Sequence, residues 1–479
     1  MIYLKNYING ELLEPLKKQY IENIEPAKGK VYSMIPDSDA SDVQLAVEAA
    51  KAAEENWANM HYEKRAQYIE AIAKGIERRM DEFVQAESRD NGKPLKLAAK
   101  VDIPRAVSNF RFFATAIQQQ SSESHYMEGI GVNYTLRRPI GVVACISPWN
   151  LPLYLFSWKI APALATGNCV IAKPSEVTPF TAYLLSEVCI EVGLPKGVLN
   201  IVHGLGPKVG DELSRNKDIK AISFTGGTAT GRTIASIAAP MFKKMSLELG
   251  GKNPNIIFAD CDFDSMLKTT IRSSFENQGQ ICLCGSRIFI ERSIYDQFKN
   301  AFVEKVKAMK VGDPNTDVNL GAIVSKAHYE KILSYIDLAK QEGGTILAGG
   351  HVVKPEGDCA DGYFIAPTVI EGLAYDCRTN MEEIFGPVVT LTPFDTEEEV
   401  LKYANATEYG LSATIWTQDL SKAHRMAEKV QSGIIWINTW LLRDLRTPFG
   451  GMKNSGVGRE GGWEAIRFFT EAKNVCVKY

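Results

Sequence analysis

The chain has 479 residues, 45% of them hydrophobic and 23% charged, with a formal net charge of −3 at pH 7. That length exceeds what one hydrophobic core serves and calls for two or three domains. The composition is that of a globular protein, and so small a net charge gives no electrostatic ground for nucleic acid or an anionic membrane as partner. No apolar run approaches the roughly 20 residues that span a bilayer. The opening stretch MIYLKNYINGELLEP lacks the basic start and apolar core of a signal peptide. A cytoplasmic location is expected. The nine cysteines are odd in number and mostly sit in apolar surroundings such as VVACI, so free thiols are expected rather than a disulfide framework. The six histidines are not clustered, and no metal site is expected.

Apolar residues at helical spacing predict amphipathic helices over 42–58 and 64–89. From residue 141 the texture changes. GVVACI, CVIAK, LNIVHG and AISFTG are short β-branched runs, each followed by a turn and a helical stretch. Buried parallel strands alternating with helices read this way, which predicts a doubly wound α/β domain with ligand at the carboxyl ends of its strands. A second such series follows ELGGKNPNIIF at 248–258 and includes SRIFIE, TVIEGL, VVTLTPF, SATIWT and SGIIWIN. The segments 121–140 and 466–479 hold alternating strands (YTLRRP and NVCVKY) with no strand beside them in sequence. Such strands need an edge to pair with, expected from another subunit.

The dinucleotide fingerprint G-x-G-x-x-G is absent, since GLGPKVG places Gly204, Gly206 and Gly210 one residue out of register. FTGGTATGRT approaches a P-loop at Gly226 and Gly231, but Arg232 stands where the lysine belongs. The turn still runs from a strand into a helix, so its free N–H groups either hold a phosphate or merely close a tight connection. In AKPSE, Lys173 suits a ribose or phosphate, and Glu176 suits the two hydroxyls of an adenine ribose while repelling a 2′-phosphate. An ordinary surface ion pair is the competing reading. In QGQICLCGSR, Cys282 and Cys284 leave three readings open: a disulfide, a metal pair and a nucleophile.

Seven stretches in one order resemble the NAD(P)-dependent aldehyde dehydrogenase superfamily: ISPWN, AKPSE, FTGGTATG, LELGGKNP, NQGQICLCGSR, EEIFGPV and PFGGMKNSGVGRE. They cover essentially the whole chain. The resemblance implies an α/β protein of three parts. These are a Rossmann-like cofactor domain (1–120 and 141–250), an α/β catalytic domain (251–450) and a small β oligomerisation arm (121–140 and 466–479). It implies NAD as cofactor, a small-molecule aldehyde as substrate, and a homodimer or homotetramer.

Carried over motif by motif, Cys282 matches the nucleophile, Glu248 the general base and Asn150 the side-chain donor of the oxyanion hole. Cys284 matches a bystander position. The cofactor-lining positions are Ile146, Ser147, Pro148 and Trp149, then Lys173, Ser175, Glu176 and Gly206, then Phe224, Thr225, Gly226 and Gly227, and last Leu249, Gly250, Glu383 and Phe385. Gly227 often has a hydroxyl-bearing counterpart in the family, so here backbone N–H groups alone remain for a phosphate. The chemistry suits these types. A thiolate adds to the aldehyde, preorganised donors hold the oxyanion, and a carboxylate activates the water that cleaves the thioester.

NTWLLRDLRTPFGG and SNFRFFA further resemble the branch that oxidises 2-aminomuconic and 2-hydroxymuconic 6-semialdehydes. There, arginines matching Arg111 and Arg443 hold the substrate's carboxylate, a pairing that suits a guanidinium fork in a closing site. Arg446 is the rival in the same loop. Trp440, Phe112 and Trp158 offer planar walls or core packing. The alternatives are a dehydrogenase of succinic, betaine or aliphatic aldehydes, a CoA-acylating relative, a P-loop NTPase, and a non-catalytic protein on the same scaffold.

Overall fold

A computed structural model describes residues 1–479. Its two large sheets follow from the apolar runs. The strands Val142–Ile146 and Cys169–Lys173 are buried along their whole length, as central parallel strands must be when helices cover both faces. The helix between them, Pro152–Ala165, is buried at every residue, matching its apolar character all round.

The cofactor sheet has eight strands. Its five parallel strands start at 142, 169, 199, 219 and 244 in the chain and lie in the spatial order 199, 169, 142, 219, 244. Strand order therefore reverses between Val142–Ile146 and Ile219–Thr225, and a ligand crevice opens at such a switch point. Antiparallel strands close both edges: Asn6–Ile8 and Glu11–Leu13 at one, Gly456–Val457 at the other. The chain thus returns to this sheet after residue 450, where the sequence reading ends the catalytic segment.

The second sheet has seven strands, centred on Pro254–Ile257 and Arg287–Glu291. The two sheets meet at a seam. Lys244–Glu248 ends the parallel part of the first, and the chain enters the second at Pro254. The carboxyl edge of the cofactor sheet therefore faces the amino edge of the catalytic sheet. Only the first sheet follows the carboxyl-end rule.

Two expectations change. The helix predicted over 64–89 is two helices, Tyr62–Arg78 and Met80–Asn91. The run breaks at Arg79 (φ −105, ψ 24), whose guanidinium reaches Glu82 (2.7 Å), Glu191 (3.0 Å) and Glu187. The arm strands need no other subunit to find a partner. Gly131–Pro139 pairs with Thr470–Lys478 in antiparallel register from Pro139↔Thr470 to Gly131↔Lys478, and its other edge takes Ser124–Met127. A chain-distant strand supplied the edge, which no local pattern reveals. The outer edge of Thr470–Lys478 stays open, and residues 466–468 belong to the helix before it.

Trp416 anchors the catalytic core, fully buried with its indole N–H donating to Asn255 Oδ1 at 3.0 Å. Trp416→Ala is expected to cost about 3–5 kcal/mol, whereas Leu420→Ala on an exposed helix stays within roughly 0.5 kcal/mol. Denaturant midpoints of the two variants measure the contrast.

Candidate active site

Cys282 lies on a turn between the helix Phe263–Phe275 and the strand Arg287–Glu291. Three successive residues before it are left-handed: Asn277 (φ 54), Gln278 (φ 57) and Gly279 (φ 70). Such backbone persists only where the surroundings over-determine it. Here Gln278 donates to Ala322 O (3.1 Å) and accepts from Gly321 N–H (3.2 Å). Gln280 accepts from Val324 N–H (3.1 Å). A Cβ on Gly279 would stand 2.2 Å from Gly386 O, so no other residue fits there. After Cys282 the turn is held by Asn253, whose amide donates to Cys282 O (2.7 Å) and Cys284 O (2.9 Å) while its oxygen accepts from Ser412 N–H (3.0 Å).

Two cavities meet at Cys282, one of about 590 Å³ and one of about 240 Å³. Glu248 faces the larger and Asn150 the smaller. Both Glu248 oxygens are buried without a hydrogen-bond partner, and burial reinforced by nearby Glu460 holds its carboxyl well above the ordinary range. A Cβ on Gly450 would stand 2.8 Å from Glu248 Oε1, so the glycine leaves the carboxylate room. Burial, with the charges of Glu248 and Glu383, pushes the Cys282 thiol up to about 12. Asn150 Nδ2 donates one hydrogen to Gln280 O at 3.0 Å, which leaves its second free for a ligand. Cys284 is buried in an apolar cluster with Ile281, Leu283, Trp436 and Trp440. This arrangement can attack a carbonyl, hold the resulting oxyanion and activate a water.

The cofactor crevice, about 660 Å³, opens at the switch point. It is lined by Ile146 to Trp149, Lys173, Ser175, Glu176, Gly206 and Phe224 to Gly227. The smaller cavity beside Cys282 adds Leu249, Gly250, Glu383 and Phe385, so the structure brings together every residue assigned to the cofactor. They fit a dinucleotide. The helix Thr228–Ala238 starts at Gly227 with no side-chain cap, so its first N–H groups are free for a phosphate, and nothing lies within 4 Å of where a Gly227 Cβ would sit. The Ser147 and Thr225 hydroxyls are buried there without partners. Lys173 Nζ lies 3.0 Å from Glu176 Oε2. Burial pulls the Glu176 carboxyl up, but Lys173 and the Gly206 N–H outweigh it and keep it below its ordinary value, an anion no 2′-phosphate would approach. Glu383 accepts from Gly251 N–H at 2.7 Å and would collide with any Cβ on Gly250.

The 590 Å³ cavity corrects the substrate assignment. Arg111 does not line it. Its guanidinium pairs with Glu77 (2.6 Å) and Glu70 (3.4 Å) on the neighbouring helix, 40% exposed. The cavity wall consists of Leu97, Lys100, Val101, Pro104, Arg105 and Ser108, one face of consecutive helical turns. Arg111 is six residues beyond Arg105 on that helix (111 − 105), which turns it about 120° away. Arg105 faces the ring of Tyr154 at 5.6 Å and makes no ion pair. Arg443 does enter the cavity. It donates to Tyr154 Oη at 3.0 Å and lies 4.0 Å over the Phe449 ring, and its buried Nη2 has no partner. Arg446 is turned outward onto Asp444 (2.9 Å). Tyr154 and Phe449 form the aromatic walls, whereas Trp440 and Phe112 pack elsewhere.

Sequence reasoning also passed over Lys100, Arg272 and Glu276 in the cavity wall, His328 and Lys331 beside Glu383, and Glu460. Helical spacing of four residues back from Arg105 and from Pro104 would have found Val101 and Lys100. No local signal marks Glu460, which reaches Lys159 Nζ at 2.6 Å across 301 residues.

A sequence profile described as "Aldehyde dehydrogenase family" matches residues 14–475. The chain is 50% identical to a 2-aminomuconic semialdehyde dehydrogenase of Danio rerio, covering 100% of this chain and 99% of that protein. It is 45% identical to a 2-hydroxymuconic semialdehyde dehydrogenase of Pseudomonas sp. (strain CF600), covering 99% of each. The NAD+ complex of an aldehyde dehydrogenase from Bacillus cereus superposes with a TM-score of 0.96 at 39% identity, over 99% of this chain and 96% of that one.

The raised thiol sets a reactivity profile. Iodoacetamide is expected to modify Cys282 and spare Cys284, at a rate rising about tenfold per pH unit up to pH 10, because thiolate is the reactive form. Peptide mapping after timed quenching measures it. A plateau below pH 9 would mean that burial and the two carboxylates do not control the sulfur.

Proposed function

We propose that this chain, which belongs to the aldehyde dehydrogenase family, oxidises 2-aminomuconic or 2-hydroxymuconic 6-semialdehyde to the dicarboxylic acid. It is an NAD-dependent aldehyde oxidoreductase. The observation that carries the substrate reading is the buried, partnerless Nη2 of Arg443, set with Arg105 around Tyr154 in the cavity that ends at Cys282. A guanidinium nitrogen buried without an acceptor is unfavourable unless a ligand supplies one. A carboxylate at the far end of a short aldehyde does so, bidentately.

Cys282 Sγ forms a bond to the aldehyde carbon as its proton passes to the Glu248 carboxylate on the same cavity, giving a thiohemiacetal anion, and Glu248 releases that proton to solvent before the hydrolytic step. The new oxyanion accepts from the free hydrogen of Asn150 Nδ2 and from the Cys282 N–H. Bound NAD supplies the hydride acceptor, and that oxidation leaves the acyl group on Cys282 as a thioester. Glu248 then takes a proton from water as the water attacks the thioester carbon, and Cys282 is the leaving group. Glu460, held by Lys159 at 2.6 Å and facing the same cavity, offers the next site for that proton. A buried carboxylate facing the sulfur supports hydrolysis over transfer to a thiol such as CoA. Because burial raises Glu248, its basic form grows as pH rises above the ordinary carboxylate range, and the rate is expected to climb with pH there.

The open edge of Thr470–Lys478, with Tyr126, Leu136 and Tyr479 exposed around it, suits pairing with a second copy in a dimer or tetramer. All nine cysteines are unpaired, which suits a reducing compartment such as the cytoplasm.

NADH absorbance with 2-hydroxymuconic semialdehyde, succinic semialdehyde and an uncharged aliphatic aldehyde tests the reading. Arg105→Ala and Arg443→Ala should each lower kcat/KM for the muconic substrate by about 10- to 100-fold, the size of a charge-assisted pair, and spare the uncharged aldehyde. Arg111→Ala should leave both within about twofold, as a surface ion pair does. Cys282→Ala should abolish turnover and Cys284→Ala retain most of it. Equal losses for charged and uncharged aldehydes would rule the clamp out.

A further inference from the structure

Behind Asn150 lies a buried ion cluster that the mechanism above leaves unused. Lys93, Glu87 and Asp102 are each 0% exposed. Lys93 Nζ lies 2.9 Å from Asp102 Oδ1 and 3.8 Å from Glu87 Oε1. The same ammonium donates to the backbone carbonyl of Asn150 at 3.2 Å. That carbonyl also accepts from Asn277 Nδ2 (3.0 Å) and Asn91 Nδ2 (3.3 Å). Three side chains thus converge on one oxygen. Such ions are costly to desolvate and seldom add stability for their own sake, so their position asks for another reason.

The elements they join supply it. Asp102 ends a single π-helical turn, Ala98–Asp102, that leads into the helix forming the wall of the substrate cavity, and it lines that cavity itself. Extra-wide turns of this kind commonly sit at functional positions. Glu87 Oε2 accepts from Leu153 N–H at 3.3 Å, at the start of the helix that follows Asn150. Asn277, whose amide also reaches Gln280 O at 3.2 Å, belongs to the nucleophile turn. Lys93 is therefore the one charged group bonded both to the substrate wall and to the peptide that carries the Asn150 amide.

We propose that Lys93 is a positioning residue, which fixes Asn150 against Cys282 and ties its orientation to the wall that receives the substrate. The inference rests on the oxyanion role given to Asn150. Lys93 touches neither the substrate's reacting carbon nor the cofactor crevice; it acts through the Asn150 peptide.

A double-mutant cycle tests this with 2-hydroxymuconic semialdehyde, on enzyme shown to be folded by its melting curve and by NAD titration of tryptophan fluorescence. Lys93→Met should lower kcat about 10- to 100-fold, the scale of a small misplacement of a catalytic donor, and leave KM within about twofold. In an Asn150→Ala background the same change should cost less than about twofold more, because residues acting as one unit do not add. Asp102→Asn, which keeps the carbonyl contact but cuts the ion pair, should give a smaller loss of the same kind, and it replaces Lys93→Met in the cycle if that protein is insoluble. A full multiplicative loss in the Asn150→Ala background, or a rise in KM at constant kcat, overturns the proposal and leaves Asn150's role standing. Wild-type turnover by Asn150→Ala alone overturns the oxyanion assignment itself.

Discussion

The nucleophile turn hangs on one side-chain amide, that of Asn253. It sits five residues beyond Glu248 (253 − 248), is almost fully buried, and ends the link that crosses from one sheet to the other. Its nitrogen holds the carbonyls of Cys282 and Cys284, its oxygen takes the Ser412 N–H, and its own carbonyl accepts from Arg287 N–H at 3.3 Å. The turn before Cys282 is left-handed at three positions and has no regular secondary structure to support it. Without the amide, two carbonyls inside the seam would lose their partner, at a cost of about 1–3 kcal/mol each. Glu248 and Cys282 arrive from opposite sheets, and this short link fixes the distance between them.

Burial at the seam governs the reactivity of both groups. A thiol pushed up to about 12 and a carboxyl held well above its ordinary range share a cavity. The thiol is therefore mostly protonated at neutral pH, Glu248 keeps its proton to higher pH than a free carboxyl does, and the charge needed for attack on the carbonyl is created at the moment of reaction. In the proposed reading the free hydrogen of Asn150 Nδ2 faces that developing charge, while Arg105 and Arg443 around Tyr154 meet the substrate's far end. Lys159 and Glu460 form a second buried pair behind Glu248, joined through Ser223, which lies 3.1 Å from Lys159 Nζ. Burial thus raises both groups, with the Lys159–Glu460 pair behind Glu248 and the unpaired guanidiniums of Arg105 and Arg443 in the same cavity.

Much of this was legible in the sequence because buried parallel strands declare themselves as two-sided apolar runs. Their spatial order, and with it the switch point, came only with the fold, while the cofactor residues assigned through the family resemblance line the two cavities there. The misreadings share a cause. Arg111 and Arg105 both lie on an arginine-bearing amphipathic helix, and only the packing of that helix against Glu70 and Glu77 decides which faces the cavity. The arm strands pair across more than 300 residues, so their partner had no local signal. The helix break at Arg79 lies beside ion pairs to residues over 100 positions away, which no local pattern shows. Periodicity reports that a face is apolar, not what lies opposite it.

The division of labour between the Ile103–Ala116 helix, with the turns before it, and the Cys282 turn has an evolutionary consequence. The helical residues that line the 590 Å³ cavity, proposed above to meet the substrate's tail, recur every three or four positions on one face. The residues that break and make bonds lie on separate loops, fixed by main-chain contacts. Exchanges at Lys100, Arg105 or Ser108 alter which aldehyde is admitted while the geometry of attack is inherited unchanged. The two parts are joined at Asp102, which lines the cavity and pairs with Lys93, the ammonium bonded to the Asn150 carbonyl.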